Sequence, residues 1–338
     1  MKSKQFDRID EMAFTQQATV AQISSLLRET QPEVIAYLMR KAVSVKESFY
    51  HNQIFIRAII EFSNICRCQC GYCGINSNNK KLSRYRMNRE EILTLCCAAI
   101  DAGYRTIVLQ SGEDLYYTQE MIGEIIAAIK NYDKTVAVTL SLGERSREVY
   151  AFWREKGADR YLIKHETSDP DLYKQLHPRQ NLEERLSCQR DLRELGYELG
   201  GGFMVGLPGQ TIESLAQDIL LLQEMQVAMA GIGPFIPHPD TPLRDCMKGE
   251  VAMTQRVLAI ARLLLPKVHL PATTALTVQG GRTEALHCGA DVIMQKATPE
   301  EKQHLYAIYP RTVREEYSLR EKREILLGQL AALGYQGV

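Results

Sequence analysis

"IFIRAIIEFSNICRCQCGYC", residues 54–73, opens as an apolar, β-branched run and ends with four cysteines in eight positions, Cys66, Cys68, Cys70 and Cys73. The first half reads as a buried strand and the second as the loop that leaves it. The same pattern recurs along the chain. Short apolar or β-branched runs stand at "TIVLQSG" (106–112), "VAVTLSLG" (136–143), "RYLIKHET" (160–167), "LGGGFMVGL" (199–207), "AGIGPFIP" (230–237), "HLPATTAL" (269–276) and "ADVIM" (290–294), with amphipathic helical stretches between them. Strands alternating with helices make a parallel sheet, and eight units over about 240 residues match the (β/α)8 TIM barrel, usually about 250 residues long. A six-stranded doubly wound sheet is the alternative.

The flanks read as helix. Residues 1–50 form an N-terminal helical extension containing "TVAQISSLLRET" (19–30) and "QPEVIAYLMRKAVSVKESFY" (31–50), with Thr19 and Thr30 as candidate caps. Residues 51–300 are the barrel. Residues 301–338, with "SLREKREILLGQLAALGYQGV" (318–338), form a C-terminal helical cap over one end. No low-complexity or Ser/Gly-rich linker divides the 338 residues, so one barrel with helical ends is expected.

Charge narrows the partners. Lys plus Arg number 41 and Asp plus Glu number 41, so no net field draws the chain to nucleic acid or to an anionic membrane. A small-molecule substrate is expected. The first residues lack the apolar core of a signal peptide, and no stretch approaches the roughly 18 apolar residues of a membrane span, so a cytoplasmic location is expected. Nine cysteines, an odd number without a secretory signal, argue against a disulfide framework, and the adjacent Cys96 and Cys97 fall within a helical pattern where burial explains them.

In a parallel barrel the chemistry sits in the loops after the strands. The cysteines follow the first strand, and "QSGED" (110–114), "SLGERS" (141–146), "HETSDP" (165–170), "GLPGQT" (206–211) and "PHPDTP" (237–242) follow later ones. Cys66, Cys70 and Cys73 are spaced Cys-x3-Cys-x2-Cys. Three thiolates on one short loop hold three irons of a 4Fe-4S cluster and leave the fourth iron for another ligand. Zinc closed by Cys68 is the alternative, but four ligands within eight residues demand a far more contorted loop than the usual paired spacing.

That spacing at the end of a first barrel strand resembles the radical S-adenosylmethionine (SAM) superfamily, which implies a barrel of the radical SAM type. Longer stretches, "IEFSNICRCQCGYCGI" (60–75), "RYRM" (84–87), "VLQSGED" (108–114), "GADRYLIKHETSDPDLYKQLHP" (157–178), "GGFMVGLPGQT" (201–211) and "GIGPFIPHPDTPL" (231–243), are similar to the HydE family of FeFe-hydrogenase maturases, grouped with biotin synthase and methylornithine synthase. The resemblance implies an oxygen-sensitive, anaerobic enzyme that carries one 4Fe-4S cluster on Cys66, Cys70 and Cys73, with Cys68 a bystander. SAM would chelate the open iron and be cleaved by one electron to methionine and a 5′-deoxyadenosyl radical. The implied substrate is a small cysteine-linked iron carbonyl cyanide complex, the implied partners other hydrogenase maturases and an electron donor such as flavodoxin or ferredoxin. A methylornithine-synthase-like enzyme acting on an amino-acid-derived molecule and a non-enzymatic cluster carrier are the rivals.

Residue roles carried by the resemblance are these. Ser111, Gly112 and Glu113 stand where related enzymes position the SAM amino group, with Ser141 near its methionine or ribose, Glu166 as a SAM contact, and Arg185 as the partner of its carboxylate, a match a guanidinium makes with two parallel hydrogen bonds. Tyr306 and Tyr309 correspond to aromatics over the barrel mouth. For an anionic substrate, Arg160, Lys164, Thr273 and Thr274 are the candidates, with Lys164 standing where arginine is expected. His165 and His238 read as structural. No cysteine follows Cys288, so no second cluster is expected.

Overall fold

The computed structural model describes residues 2–278, 282–310 and 317–338. Three helices come first, α1 (Lys2–Thr15), α2 (Val20–Leu27) and α3 (Pro32–Tyr50). Thr19 caps α2 reciprocally: its hydroxyl accepts the Gln22 N–H, and the Gln22 side-chain oxygen accepts the Thr19 N–H. Thr30 caps nothing. Gln31 stands at the start of α3, and Pro32 fills the first turn, where its missing N–H costs no helical bond.

Eight strands follow: β1 (Gln53–Ser63), β2 (Thr106–Ser111), β3 (Ala137–Ser141), β4 (Arg160–Leu162), β5 (Glu198–Val205), β6 (Met229–Pro234), β7 (Val292–Lys296) and β8 (Gln336–Gly337). They pair in parallel in the order β6-β5-β4-β3-β2-β1-β7, and β8 joins the start of β1. Side chains alternate across β1 as a strand requires. Ile59 and Glu61 face an internal cavity, whereas Ala58, Ile60 and Phe62 are fully buried in the core outside it. Both faces are covered, as expected of a parallel sheet.

The run at 269–276 is not a regular strand. It meets its neighbours through single bridges, His269 to Met229 of β6 and Pro271 to Val292 of β7, both parallel. Pro271 has no N–H to continue a ladder, which limits the segment to isolated contacts. Those contacts still bring the two ends of the sheet together. Nothing in the sequence pattern showed β8, which is only two residues long. The helix Leu319–Ala332 before it is capped by Ser318 and lies along the helix Arg89–Asp101, where Arg320 donates to the Asp101 carbonyl. Among the described residues no helix is long and apolar enough to cross a membrane.

The ring closure rests on Asp291. One carboxylate oxygen accepts from Arg262 at 2.8 Å and from the Leu270 N–H at 2.6 Å, and the other meets His269 Nδ1 at 2.6 Å. Arg262 also donates to the carbonyls of Gly289, Pro266 and Val268. Both ion-pair partners are fully buried. Removing one member of such a pair strands the other charge, so Arg262→Ala should lower unfolding stability by about 3–5 kcal/mol in urea titration. A loss below about 1 kcal/mol, the range of exposed ion pairs, would contradict this role.

Candidate active site

The cysteine loop is shaped before its sulfurs are considered. As β1 ends, its pairing slips between Glu61 and Ser63 and the chain turns out of the sheet. Arg84 then gathers the loop: Nη1 donates to the carbonyls of Asn64 (2.5 Å) and Ile75 (2.7 Å), and Nη2 to those of Asn76 (2.6 Å) and Asn79 (3.1 Å). Asn64 adds bonds to the Ser83 and Leu305 carbonyls and to the Tyr85 N–H. On the far side, the Gly71 N–H donates to Leu176, and the Gly74 N–H to Ile308. Tyr72 bonds His177 Nε2 at 3.0 Å. His177 Nδ1 faces the Tyr173 carbonyl, an acceptor, so Nδ1 carries the proton and Nε2 receives the Tyr72 hydroxyl. Burial pushes His177 down to about 4, which keeps this tautomer neutral.

Cys66, Cys68, Cys70 and Cys73 all line one cavity of about 350 Å³ at the mouth of the barrel. Among the described residues no three His, Cys, Asp or Glu side chains converge on a single ion. Burial pushes the Cys73 thiol up to about 12, and the neighbouring Cys68 thiol and burial raise Cys66 further. Thiolates there call for a positive centre among the sulfurs, which an iron–sulfur cluster supplies. The donor set therefore fits such a cluster.

Two glycines let neighbouring loops close, one on Cys66 and the other on Glu113. A Cβ on Gly112 would lie 2.2 Å from the Ile65 carbonyl oxygen and 2.8 Å from Cys66 Cβ. The close approach brings the Glu113 N–H to Cys66 Sγ at 3.3 Å. The Glu113 carboxylate is held by Arg67 Nε at 2.5 Å and by the Glu144 N–H at 2.9 Å. A Cβ on Gly143, whose φ is +75°, would strike that carboxylate at 2.2 Å.

Most of the expected residues meet here. Ser111, Gly112, Glu113, Ser141, Lys164, Glu166, Arg185, Thr273, Thr274, Tyr306 and Tyr309 all face the same cavity. Glu166 has a left-handed backbone, φ +65°, uncommon for a non-glycine residue and held by its N–H bond to Gly202 and the Met204 N–H bond to its carbonyl. Its carboxylate pairs with Lys164 at 3.0 Å, and Arg185 pairs with Glu144 at 2.7 Å. The Tyr306 hydroxyl accepts from Gln110 at 3.2 Å. Tyr306 and Tyr309 lie on a loop after the short helix Glu300–Gln303, not on a helix.

Arg160 does not join them. It begins β4 at the opposite end of the barrel, with Nε 2.6 Å from Glu198 and Nη1 3.1 Å from Thr106, the first residues of β5 and β2. Residues i and i+4 of a strand share a face but lie about 13 Å apart. Lys164 at the mouth therefore leaves Arg160 at the floor. His165 is buried against Asp218 at 3.3 Å, and His238 Nδ1 accepts the Asp240 N–H. Sequence reading missed the organising roles of Arg84, Arg67, Gly143 and Glu144, and the Glu61–Lys296 ion pair (2.6 Å) on the cavity wall.

Known proteins match this arrangement. The family profile of the radical SAM superfamily matches residues 60–222, and the chain belongs to that superfamily, whose members carry a 4Fe-4S cluster and use SAM. More particularly, it is 51% identical over 275 residues to the [FeFe] hydrogenase maturase subunit HydE of Thermotoga maritima, covering 81% of this chain and 78% of the relative. It is 31% identical to 3-methylornithine synthase of Methanosarcina acetivorans, over 86% of this chain and 82% of the relative. The crystal structure of methylornithine synthase (PylB) superposes with TM-score 0.87 at 26% identity, over 98% of this chain and 97% of that one.

The packing at Gly112 yields a direct test. Gly112→Ala forces the Ile65 carbonyl and Cys66 apart. Iron bound per chain after anaerobic reconstitution should fall severalfold while far-ultraviolet circular dichroism stays unchanged. Normal iron loading would show that the loop tolerates the extra methyl group.

Proposed function

We propose that this radical SAM enzyme is a HydE-type maturase of FeFe-hydrogenase, acting on a small cysteine-linked iron carbonyl cyanide complex. The observation that carries the reading is the convergence of Cys66, Cys70 and Cys73 with Glu166 and Arg185 on one cavity, in a chain 51% identical to HydE. A non-enzymatic cluster carrier is set aside by membership in an enzyme family.

In this reading Cys66, Cys70 and Cys73 would hold one 4Fe-4S cluster, and SAM would be its remaining ligand. When bound, the cluster and SAM supply one-electron cleavage to methionine and a 5′-deoxyadenosyl radical. The chain's part is placement and exclusion of water. Arg185, fixed by Glu144, presents a guanidinium to the SAM carboxylate, while Ser111, Gly112 and Glu113 flank its amino group and Ser141 and Glu166 its remaining polar edges. Tyr306 and Tyr309 cover the mouth. Below them, Lys164, Thr273 and Thr274 offer a cation and two hydroxyls to an anionic substrate. The electron comes from a donor such as flavodoxin or ferredoxin, and the substrate from another maturase.

Cys66→Ala, Cys70→Ala and Cys73→Ala should each abolish 5′-deoxyadenosine formation from SAM and dithionite, while Cys68→Ser leaves it largely intact. Loss in the Cys68 variant would make that thiol a ligand and break the assignment.

Lys164 separates substrate binding from cofactor use. One hydrogen bond to a charged group contributes about 1.5–3 kcal/mol, or roughly 10–100-fold in rate. Lys164→Met should lower substrate-dependent turnover by about that factor, with Lys164→Arg restoring it and substrate-free SAM cleavage changing little. Equal loss of both activities in Lys164→Met would assign Lys164 to Glu166 and SAM instead.

A further inference from the structure

In the turn after β2 the carboxylates of Glu113 and Asp114 are buried, 4% and 2% exposed, and each holds a guanidinium that faces solvent. Arg67 reaches Glu113 at 2.5 Å. Arg86 meets Asp114 through Nε at 2.7 Å and Nη2 at 2.9 Å, a two-pronged match. A third guanidinium, Arg145, donates to the carbonyls of Asp114 and Glu144. The Glu144 carboxylate is itself held by Arg185. Four guanidiniums therefore stand on three carboxylates, none of them exposed, with Arg67 and Arg86 at the surface. The chain as a whole is neutral, so this cationic face is local.

Leu115 and Tyr116 stand at the tip of the same turn, 56% and 55% exposed. Arg86 lies over the Tyr116 ring at 4.4 Å, which steadies both side chains in solvent. A leucine and a tyrosine exposed side by side among guanidiniums make an apolar centre with a cationic rim, the anatomy of a protein interface. The patch also abuts the cysteine loop. Arg67 follows Cys66 in the chain, its N–H donates to the Glu113 carbonyl at 3.1 Å, and the Glu113 N–H reaches Cys66 Sγ at 3.3 Å. Arg67, Arg86, Arg145, Leu115 and Tyr116 do not line the cavity, so a partner seated on them lies against the outside of the loop and leaves the mouth clear.

We propose that this face docks the electron donor, a small acidic one-electron carrier protein. Its carboxylates meet Arg67, Arg86 and Arg145, and the apolar edge of its redox group rests on Leu115 and Tyr116. The inference rests on the cluster proposed at Cys66, Cys70 and Cys73. One electron passes from the reduced carrier, which is oxidised, to the cluster, which is reduced; no bond forms and no proton or group moves. Opposite charges across the rim speed the encounter and make it sensitive to salt.

Flavodoxin, an acidic carrier, is the probe, titrated anaerobically into the reconstituted protein by calorimetry. One-to-one binding is expected, weakening as sodium chloride is raised. Leu115→Glu places a like charge opposite the carrier without removing the partner of any buried carboxylate, and should raise the dissociation constant about tenfold. Leu333→Glu, near the start of β1 and away from the cysteine loop, should leave it unchanged. Flavodoxin-driven SAM cleavage at subsaturating carrier should fall with binding in Leu115→Glu, while cleavage driven by dithionite stays at the level of the unaltered protein. Amide exchange across residues 113–117 of the unaltered protein should slow in the complex, a readout that needs no variant. No binding, binding insensitive to salt, unchanged exchange at 113–117, or equal affinity in Leu115→Glu and Leu333→Glu overturns the proposal. Failure of dithionite itself to drive cleavage in the unaltered protein would fault the reading of the cluster instead, and the binding and exchange measurements still decide the docking face.

Discussion

One guanidinium sets the shape of the reaction chamber. The loop from Asn64 to Asn79 has to fold around three thiols, so its carbonyls cannot join a sheet ladder or a helix. Arg84 takes four of them at once, using the fixed fork that distinguishes arginine from lysine. The bonds span both ends of the loop, from before Cys66 to beyond Cys73. Each buried carbonyl left without a donor would cost about 1–3 kcal/mol, so this single side chain accounts for a loop conformation that the cysteines alone would not hold.

From that loop outward, the cavity is organised by charges that arrive already paired. Lys164 with Glu166 and Lys296 with Glu61 each place a cation and a carboxylate within 3.0 Å on the walls, and Arg185, also on the wall, pairs with Glu144 at 2.7 Å. Paired charges in a low-dielectric space are fixed in direction and need little reorganisation when a ligand enters. The left-handed backbone at Glu166 belongs to the same design. Its N–H bonds the Gly202 carbonyl and its carbonyl accepts the Met204 N–H, and its carboxylate meets Lys164 two residues back.

Much of this was legible in the sequence, and the exceptions share a cause. The alternation of apolar runs and amphipathic helices showed the parallel barrel, because burial on both faces of a sheet leaves a strong pattern. The spacing of Cys66, Cys70 and Cys73 pointed to a cluster, because few functions place three thiols on one short loop, and the resemblance to the radical SAM superfamily supplied the chemistry. Depth along a strand left no pattern. Arg160 and Lys164 share a face and read alike, yet one closes the floor and the other lines the mouth. Arg84 acts through backbone carbonyls distant from it in sequence, and Gly112 and Gly143 are needed because of atoms on other loops. The bridges at His269 and Pro271 and the two residues of β8 are too short to carry any periodicity.

We propose that Cys66, Cys70 and Cys73 would hold one 4Fe-4S cluster, in the cavity that Glu166 and Arg185 also line, and that SAM would join it as a ligand. Electron paramagnetic resonance of the dithionite-reduced, anaerobically reconstituted protein, recorded before and after addition of SAM, tests it most directly. A reduced 4Fe-4S signal whose g values shift on addition of SAM is predicted, because SAM then becomes a ligand of the cluster. A cluster signal that SAM leaves unchanged would contradict the account.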